Sequence, residues 1–333
     1  MLNASAHLSS HIFSADIEKI ATRQGYGEGL VEAGEKDENI VVLCADLTES
    51  TRSNLFAEKF PDRFIEVGVA EQLMATLAAG MANYGKIPFI SSYSAFSPGR
   101  NWEQIRTTIA LNDVPVKIAG AHSGISVGPD GATHQQLEDI AMMSAMPNMI
   151  VVVPADSVEA KKATLAIAEN GKPSYLRFAR HNSPLFTTSQ TPFKVGRAEI
   201  FWQSKKPEVA IIACGPLVYE ALLAVKELEE NGMGSIVVNN HTVKPLDEQT
   251  LARVAKICGC VVTVEEHQIQ GGLGAAVAEV LARSFPVPIE YVGMPDSFGE
   301  SGEPEELLEK YGMTACYIME KAKLVIGRKN HGD

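Results

Sequence analysis

What this sequence has little of excludes a good deal. Lys and Arg number 29 against 41 Asp and Glu, a net charge of −12. That surplus of acid argues against nucleic acid or an anionic membrane as the main partner. No apolar run approaches the roughly 20 residues a membrane-spanning helix needs. The five cysteines are an odd number without the rhythm of a disulfide framework. Cys44, Cys214, Cys258 and Cys260 sit in or beside apolar, β-branched runs and read as buried free thiols of a reducing compartment. Cys258-Gly259-Cys260 is too tight for the usual zinc pair. The opening MLNASAHLSSHIF has no basic segment leading into an apolar core, so the expectation is a cytoplasmic chain without a signal peptide. In that setting the Asn3-Ala4-Ser5 sequon is chance. Internal repeats and low-complexity stretches are also missing.

What is there is a rich supply of core. The 333 residues are 45% hydrophobic, which suggests two packed domains. IVVLCAD (40–46), IPFIS (87–91), PVKIAGA (115–121), MIVVV (149–153) and SYLRF (174–178) read as buried strands. Helical patterns fall between them near 70–84, 98–112, 136–145 and 156–170. Around 181–196 the texture turns to Ser, Thr and Pro without a period, which reads as an ordered linker. The alternation resumes with strands at 208–215, 235–240, 260–267 and 288–293, and helices near 217–230, 247–257, 273–284, 304–311 and 314–326. The expected fold is α/β: two domains, each a mainly parallel sheet flanked by helices. Their expected bounds are 12–180 and 207–328, with 181–206 as the linker. Gly271–Gly274 in QGGLGAAV follows a strand but does not complete G-x-G-x-x-G, so tight packing is preferred over a nucleotide role.

Two features stand apart from the packing pattern. Glu71 is the only charged side chain from Val67 to Gly85, in a run where Leu73, Leu77 and Met81 recur at helical spacing. The spacing predicts a largely buried helix. An acid at its start could simply answer the helix dipole. It could also be a partly desolvated carboxyl with a raised pKa, held for proton transfer. The second feature is AHSGISVGPDGATHQQ (121–136), the longest irregular segment of the first domain. It follows a strand directly, where open α/β sheets place ligands. It gathers His122, Asp130 and His134 among three glycines. No short H-x-x-x-H pair accompanies them, so a substrate site is favoured over a metal site.

VGVAEQ, SSYSAFSPGRNWEQIR, GPDGATHQQLEDIA and RFARHN, in that order, resemble the C-terminal half of transketolase. The resemblance covers nearly the whole chain, as a pyrimidine-binding domain followed by the family's C-terminal domain. It implies thiamine diphosphate as cofactor and transfer of a two-carbon ketol unit between sugar phosphates of the pentose phosphate type. Glu71 then matches the catalytic glutamate that hydrogen-bonds N1′ of the aminopyrimidine. A carboxyl that gives and shares a proton there explains its apolar surroundings. Tyr93 and Phe96 match aromatics packed against the pyrimidine ring, while Gly99 stands where larger transketolases carry a third. His134 matches the histidine that hydrogen-bonds the hydroxyls of the ketose donor, with a catalytic role, and Asp130 an aspartate that reads a sugar hydroxyl. His122, Arg180 and Arg23 match residues that hold the substrate phosphate, and Ser50 a phosphate-binding serine with Ser53 as its nearby alternative. A guanidinium fork suits two phosphate oxygens at once.

The family binds the diphosphate and its divalent metal through a Gly-Asp-Gly motif with a later Asn, as the resemblance implies. No Gly-Asp-Gly occurs here. The chain therefore resembles one subunit of a split transketolase, with no metal ligands of its own. A companion subunit would carry the diphosphate half and its Mg²⁺ or Ca²⁺, in an α₂β₂ assembly. Three other readings remain open. One is the β subunit of a 2-oxo acid dehydrogenase E1 component, and another is an enzyme like deoxyxylulose-phosphate synthase. The third is a non-catalytic assembly subunit.

Overall fold

The computed structural model describes residues 1–331 and consists of two α/β domains. The first is built on a seven-stranded sheet. In spatial order its strands are Thr242–Lys244, Ile150–Val152, Ser174–Arg177, Lys117–Ala121, Ile87–Tyr93, Ile40–Cys44 and Phe64–Glu66. All pair in parallel except Thr242–Lys244, which runs antiparallel to Ile150–Val152. The central strands are buried along nearly their whole length because helices cover both faces. On one face, Ile90, Ile118 and Val151 pack with Met74, Ala78, Ile105 and Ile109. On the other, Val42, Phe89 and Leu176 pack with Tyr26, Leu30 and Phe56.

The second domain has a five-stranded sheet in the order Ile289–Met294, Val261–Gln268, Val209–Ala213, Ser235–Asn239 and Glu199–Gln203. The helices Leu217–Glu230 and Ala315–His331 pack against one side of it. Glu248–Cys258 and Leu273–Ser284 pack together and bury Leu251, Val254, Leu273 and Val277 in the core. The strand Glu199–Gln203 is an antiparallel edge that pairs with Ser235–Asn239. It falls within the segment 181–206 expected to be linker, so that expectation is corrected: the end of the segment belongs to the second sheet. Asn182–Pro184 also pairs, antiparallel to Lys19–Ala21.

Three further differences from the sequence reading have physical causes. The helix Thr22–Lys36 was not expected, because TRQGYGEGLVEAGEK carries four glycines. Each costs a helix interior about 0.5–1 kcal/mol relative to Ala. Here a Cβ at Gly25 or Gly29 would run into Ser157 or Thr164, so the glycines let this helix lie against Ser157–Ala168. Full burial of Tyr26 and Leu30, at about 1.5–3 kcal/mol per large side chain, offsets the propensity cost. Helix Glu71–Asn83 exists as expected, but its orientation is reversed. Leu73 is 55% and Leu77 37% exposed, and Met81 is half-buried. The inward face is Glu71, Met74, Ala75, Ala78, Ala79 and Ala82, whose small side chains allow close approach to the sheet. Finally, the helix expected over 98–112 begins only at Trp102 and is wound as a π-helix over Ile105–Ala110. Pro98 and Gly99 keep the preceding residues in tight turns.

The free thiols of Cys44, Cys214, Cys258 and Cys260 are buried, and that of Cys316 is exposed. Burial raises Cys260 to about 11, which leaves it an inert thiol at neutral pH. No helix among the described residues is long and apolar enough to cross a membrane.

Candidate cofactor and substrate site

Glu71 opens the helix Glu71–Asn83 and is 1% exposed. Its Oε2 accepts a hydrogen bond from Arg100 Nη1 at 2.6 Å, and its backbone carbonyl accepts one from Asn101 Nδ2 at 3.0 Å. The Arg100 side chain is 45% exposed, and its guanidinium lies 4.7 Å from the centre of the Phe96 ring. The acid is thus held from the segment that follows strand Ile87–Tyr93. That segment is wound tightly enough that a Cβ at Gly99 would collide with the Ala95 carbonyl. An aromatic side chain does not fit there with this backbone, which accounts for the glycine.

From Phe96 the site continues as a ring cluster. Phe96 and Tyr93 stack with centroids 6.1 Å apart, and Tyr93 stacks on His122 at 3.8 Å. His134 meets both aromatics edge-on, at 5.4 Å from Phe96 and 6.3 Å from Tyr93. His134 Nδ1 lies 2.9 Å from Thr133 Oγ1. His122 is buried in a left-handed backbone conformation, with its Nδ1 lacking a hydrogen-bond partner. Burial, reinforced by the charges of Arg23, Arg180 and His134, holds its imidazole down at about 3. It is neutral at pH 7, so positive charge for an anion must come from the arginines.

Those arginines lie beyond His122. Arg23 Nη1 donates to the Ser50 carbonyl at 2.9 Å, and Arg180 Nη1 to the Val127 carbonyl at 2.8 Å. Burial first, then the nearby charges of Arg52 and Arg180, push the Arg23 guanidinium below its ordinary value. Of the two candidate serines, Ser53 is fully buried, with its hydroxyl 2.8 Å from Thr51 Oγ1 and bonded to the Thr48 carbonyl. Ser50 is half-buried, and its carbonyl takes the Arg23 guanidinium. Asp130 is exposed on the loop, outside the ring cluster.

The loop that carries His122 and His134 is braced by the second domain. Glu266 Oε1 accepts from Ser126 N at 2.6 Å, and Gln135 Nε2 donates to the Glu300 carbonyl at 2.8 Å. Gly124, with φ +89°, passes so close to the Glu266 carboxylate that a Cβ would collide with it. Below the loop, Arg177 donates to Asp139 Oδ2 at 2.7 Å and to the Glu266 carbonyl at 2.8 Å. In the loop 271–274, the backbone N–H groups of Leu273 and Gly274 donate to the Glu265 carboxylate at 2.6 and 2.7 Å. An internal acid already fills the place a phosphate would take, in keeping with tight packing there.

Arg100 lies inside the SSYSAFSPGRNWEQIR stretch and Arg52 between Ser50 and Ser53, but sequence reasoning assigned neither a part. Their signal is tertiary: Arg100 is placed by a turn against Glu71, and Arg52 by its packing near Arg23.

Residues 18–184 match the pyrimidine-binding domain of transketolase, and residues 196–318 the transketolase C-terminal domain. The chain is 45% identical over 308 residues to a putative transketolase C-terminal section of Methanocaldococcus jannaschii, covering 90% of this chain and 96% of that one. It is 39% identical over 318 residues to a 6-deoxy-6-sulfo-D-fructose transketolase subunit of Clostridium sp., covering 96% and 98%. A solved structure described as a split-gene transketolase, an inactive β4 tetramer, superposes with a TM-score of 0.87 at 42% identity, covering 93% of this chain and 99% of that one. Against the full-length human transketolase the chain spans 49% of the length, at 34% identity over 93% of its own residues.

Proposed function

The chain belongs to the transketolase family, and from that membership we propose that it is the pyrimidine-binding subunit of a split, thiamine-diphosphate-dependent transketolase. It transfers a two-carbon ketol unit from a ketose phosphate to an aldose phosphate, and it works only with a companion subunit. The observation that carries this reading is Glu71. It is a buried carboxyl at a helix start, with one oxygen fixed by Arg100 and the Tyr93–Phe96 rings close by.

These residues fit the aminopyrimidine end of the cofactor: an acid secluded from water, next to aromatic faces. When bound, thiamine diphosphate supplies the nucleophilic carbon that attacks the ketose carbonyl. Glu71 holds the proton at the pyrimidine N1′, and Arg100 fixes the rotamer from which it does so. Tyr93 and Phe96 pack on the ring and exclude water. His134 hydrogen-bonds the sugar hydroxyls at the reacting end, and Asp130 reads one hydroxyl from the rim. Arg23, Arg180, His122 and Ser50 hold the distal anion. An anion-holding cluster of this kind favours an anion-tailed sugar over a 2-oxo acid with a carrier-protein partner.

The sequence has no Gly-Asp-Gly run. Among the described residues, no three His, Cys, Asp or Glu side chains gather as a metal site. Assigning the diphosphate end and its Mg²⁺ or Ca²⁺ to a companion is supported by the relatives described as a transketolase C-terminal section and a split-gene transketolase, both matched over nearly their whole length. Val69, Leu73, Leu77 and Tyr84, exposed on or beside the Glu71 helix, offer an apolar face for burial between subunits in an α₂β₂ assembly.

The test is ketol transfer by this chain, by the companion and by their mixture with Mg²⁺ and cofactor. Only the mixture should turn over. In the mixture, Glu71→Ala should slow exchange of the cofactor C2 proton by about 10²–10³. Wild-type exchange in that variant would remove Glu71 from the mechanism.

A further inference from the structure

We propose that Arg52 is a third guanidinium of the anion subsite and sets the charge of the substrate tail that the site accepts, a tetrahedral oxyanion at the end of the sugar remote from the reacting carbonyl. The proposal rests on the transketolase reading and adds to it a residue outside the set Arg23, Arg180, His122 and Ser50.

Three observations place Arg52 there. Its Cβ and backbone carbonyl pack against helix Thr22–Lys36 at Gly27, one turn along from Arg23, where a Cβ would collide with them. The same strand-to-helix segment supplies the Ser50 carbonyl that receives Arg23 Nη1 at 2.9 Å. The two arginines are thereby tied to one corner of the fold. Second, Arg52 holds a left-handed backbone conformation, φ 65° and ψ 14°, as the cap of helix Thr48–Thr51. That cap, closed by the Arg52 N–H on the Glu49 carbonyl, fixes the direction in which the side chain leaves the helix.

The third observation is electrostatic. Among the described residues the arginines in salt bridges are Arg100, Arg177, Arg197, Arg283 and Arg328. Arg23, Arg52 and Arg180 are not among them, although the chain carries a net charge of −12. The Nε atoms of Arg23 and Arg52 are both buried without a hydrogen-bond partner. Burial first, then the charge of Arg52, holds the Arg23 guanidinium below its ordinary value. Like charges brought together without an acid between them repel, and an anion bound among them converts that repulsion into attraction. Guanidinium forks match tetrahedral oxyanions in geometry, and a third fork favours a doubly charged tail over a singly charged one. Phosphate and sulfonate share this chemistry and differ in charge at neutral pH.

The experiment has two arms. In the first, the isolated chain is unfolded thermally across a series of inorganic phosphate concentrations, as wild type, Arg52→Gln and Arg23→Gln. Wild type should be stabilised progressively by phosphate, and both variants should lose most of that rise. A phosphate response in Arg52→Gln equal to that of wild type, or no response in wild type, overturns the proposal. In the second, the assembled enzyme is assayed on ketoses ending in phosphate, in sulfonate and in a plain hydroxyl. Arg52→Gln should lower kcat/KM on the anionic ketoses about tenfold more than on the neutral one, through KM rather than kcat. The loss should be larger on phosphate than on sulfonate, and a larger loss on sulfonate overturns the charge-setting role of Arg52. An equal loss on all three ketoses marks Arg52 as structural and overturns the proposal. If the assembled pair transfers no ketol unit from any ketose, the transketolase reading falls, and the phosphate titration still decides the role of Arg52.

Discussion

The pairing of Glu71 with Arg100 predicts an asymmetry that measurement can test without any cofactor. The two side chains share one hydrogen bond of 2.6 Å but sit in different surroundings, with Glu71 1% exposed and Arg100 45% exposed. Removing the acid, as Glu71→Ala, leaves a guanidinium that returns to water and keeps its place over Phe96. The cost is that of one half-exposed charged hydrogen bond, about 1 kcal/mol. Removing the base, as Arg100→Met, strands a carboxyl that water does not reach. Leaving a buried charged group unpartnered costs more, about 2–4 kcal/mol, even though the methionine retains apolar contact with Phe96. The double variant should cost little more than Glu71→Ala alone, so the cycle should give a coupling of about 2–4 kcal/mol. Urea and thermal unfolding of the isolated chain read these differences, with an unchanged urea slope confirming a common unfolding reaction. If Arg100→Met lies within about 0.5 kcal/mol of wild type, or costs less than Glu71→Ala, Arg100 is not what holds the acid.

Other predictions address the substrate end, the domain junction and the loop. Arg23→Ala or Arg180→Ala should raise KM for an anion-tailed ketose about tenfold or more, since a charged hydrogen bond is worth roughly 1.5–3 kcal/mol. His134→Ala should instead lower kcat on tailed and untailed sugars alike, and steady-state kinetics of the assembled enzyme separates the two patterns. Burial raises the Glu159 carboxyl from 4.5 to about 8, at a junction where its Oε1 accepts from Asn239 Nδ2 at 2.7 Å. The folded chain keeps a proton there that the unfolded chain gives up. The stability this contributes is therefore complete below about pH 4.5 and is lost as pH rises through about 8. Glu159→Gln should flatten that decline in unfolding midpoints measured from about pH 5 to 9, and an unaltered pH profile would refute the assignment. Gly124→Ala should destabilise by roughly 1–3 kcal/mol, because it adds a Cβ at φ +89° against the Glu266 carboxylate. Normal stability in that variant would show that the loop yields.

Much of the sheet was legible because its strands are buried on both faces and so read as continuous β-branched runs, IVVLC being the plainest. Elements whose stability comes from their neighbours were not legible. Thr22–Lys36 has glycines where a helix should have alanines, and its reason is the surface of Ser157–Ala168. Glu199–Gln203 is a partly exposed edge strand beside a Ser, Thr and Pro stretch, so its pattern is diluted. In Glu71–Asn83 the larger apolar residues pointed to the wrong face, because a close helix–sheet contact prefers alanine. At the site, the motif residues Tyr93, Phe96, His122 and His134 are gathered into one ring cluster. Arg100 and Arg52 were silent in the sequence because an arginine carries no periodic signal. Only tertiary placement sets them apart, Arg100 against Glu71 and Arg52 against helix Thr22–Lys36 at Gly27.

The second domain contributes none of the proposed catalytic or substrate-binding residues except through the first, yet it governs where they lie. The 121–136 loop closes part of its own backbone, with Gly124 N–H on the Gln136 carbonyl and His134 N–H on the Gly131 carbonyl, and is braced from outside for the rest. Two of the braces come from the second domain: Glu266 takes the Ser126 N–H, and the Glu300 carbonyl takes the Gln135 side-chain amide. Arg177, which fixes Asp139 just beyond the loop, also reaches the Glu266 carbonyl. The strand Thr242–Lys244 then pairs the second domain onto the edge of the first sheet. Separating the domains would leave these buried groups unsatisfied, at about 1–3 kcal/mol each. They therefore act as a single frame, and a displacement of the second domain would be carried by Glu266 directly to the loop bearing His122 and His134. In this arrangement the distance between the acid at Glu71 and the histidines of the loop is set by both domains together.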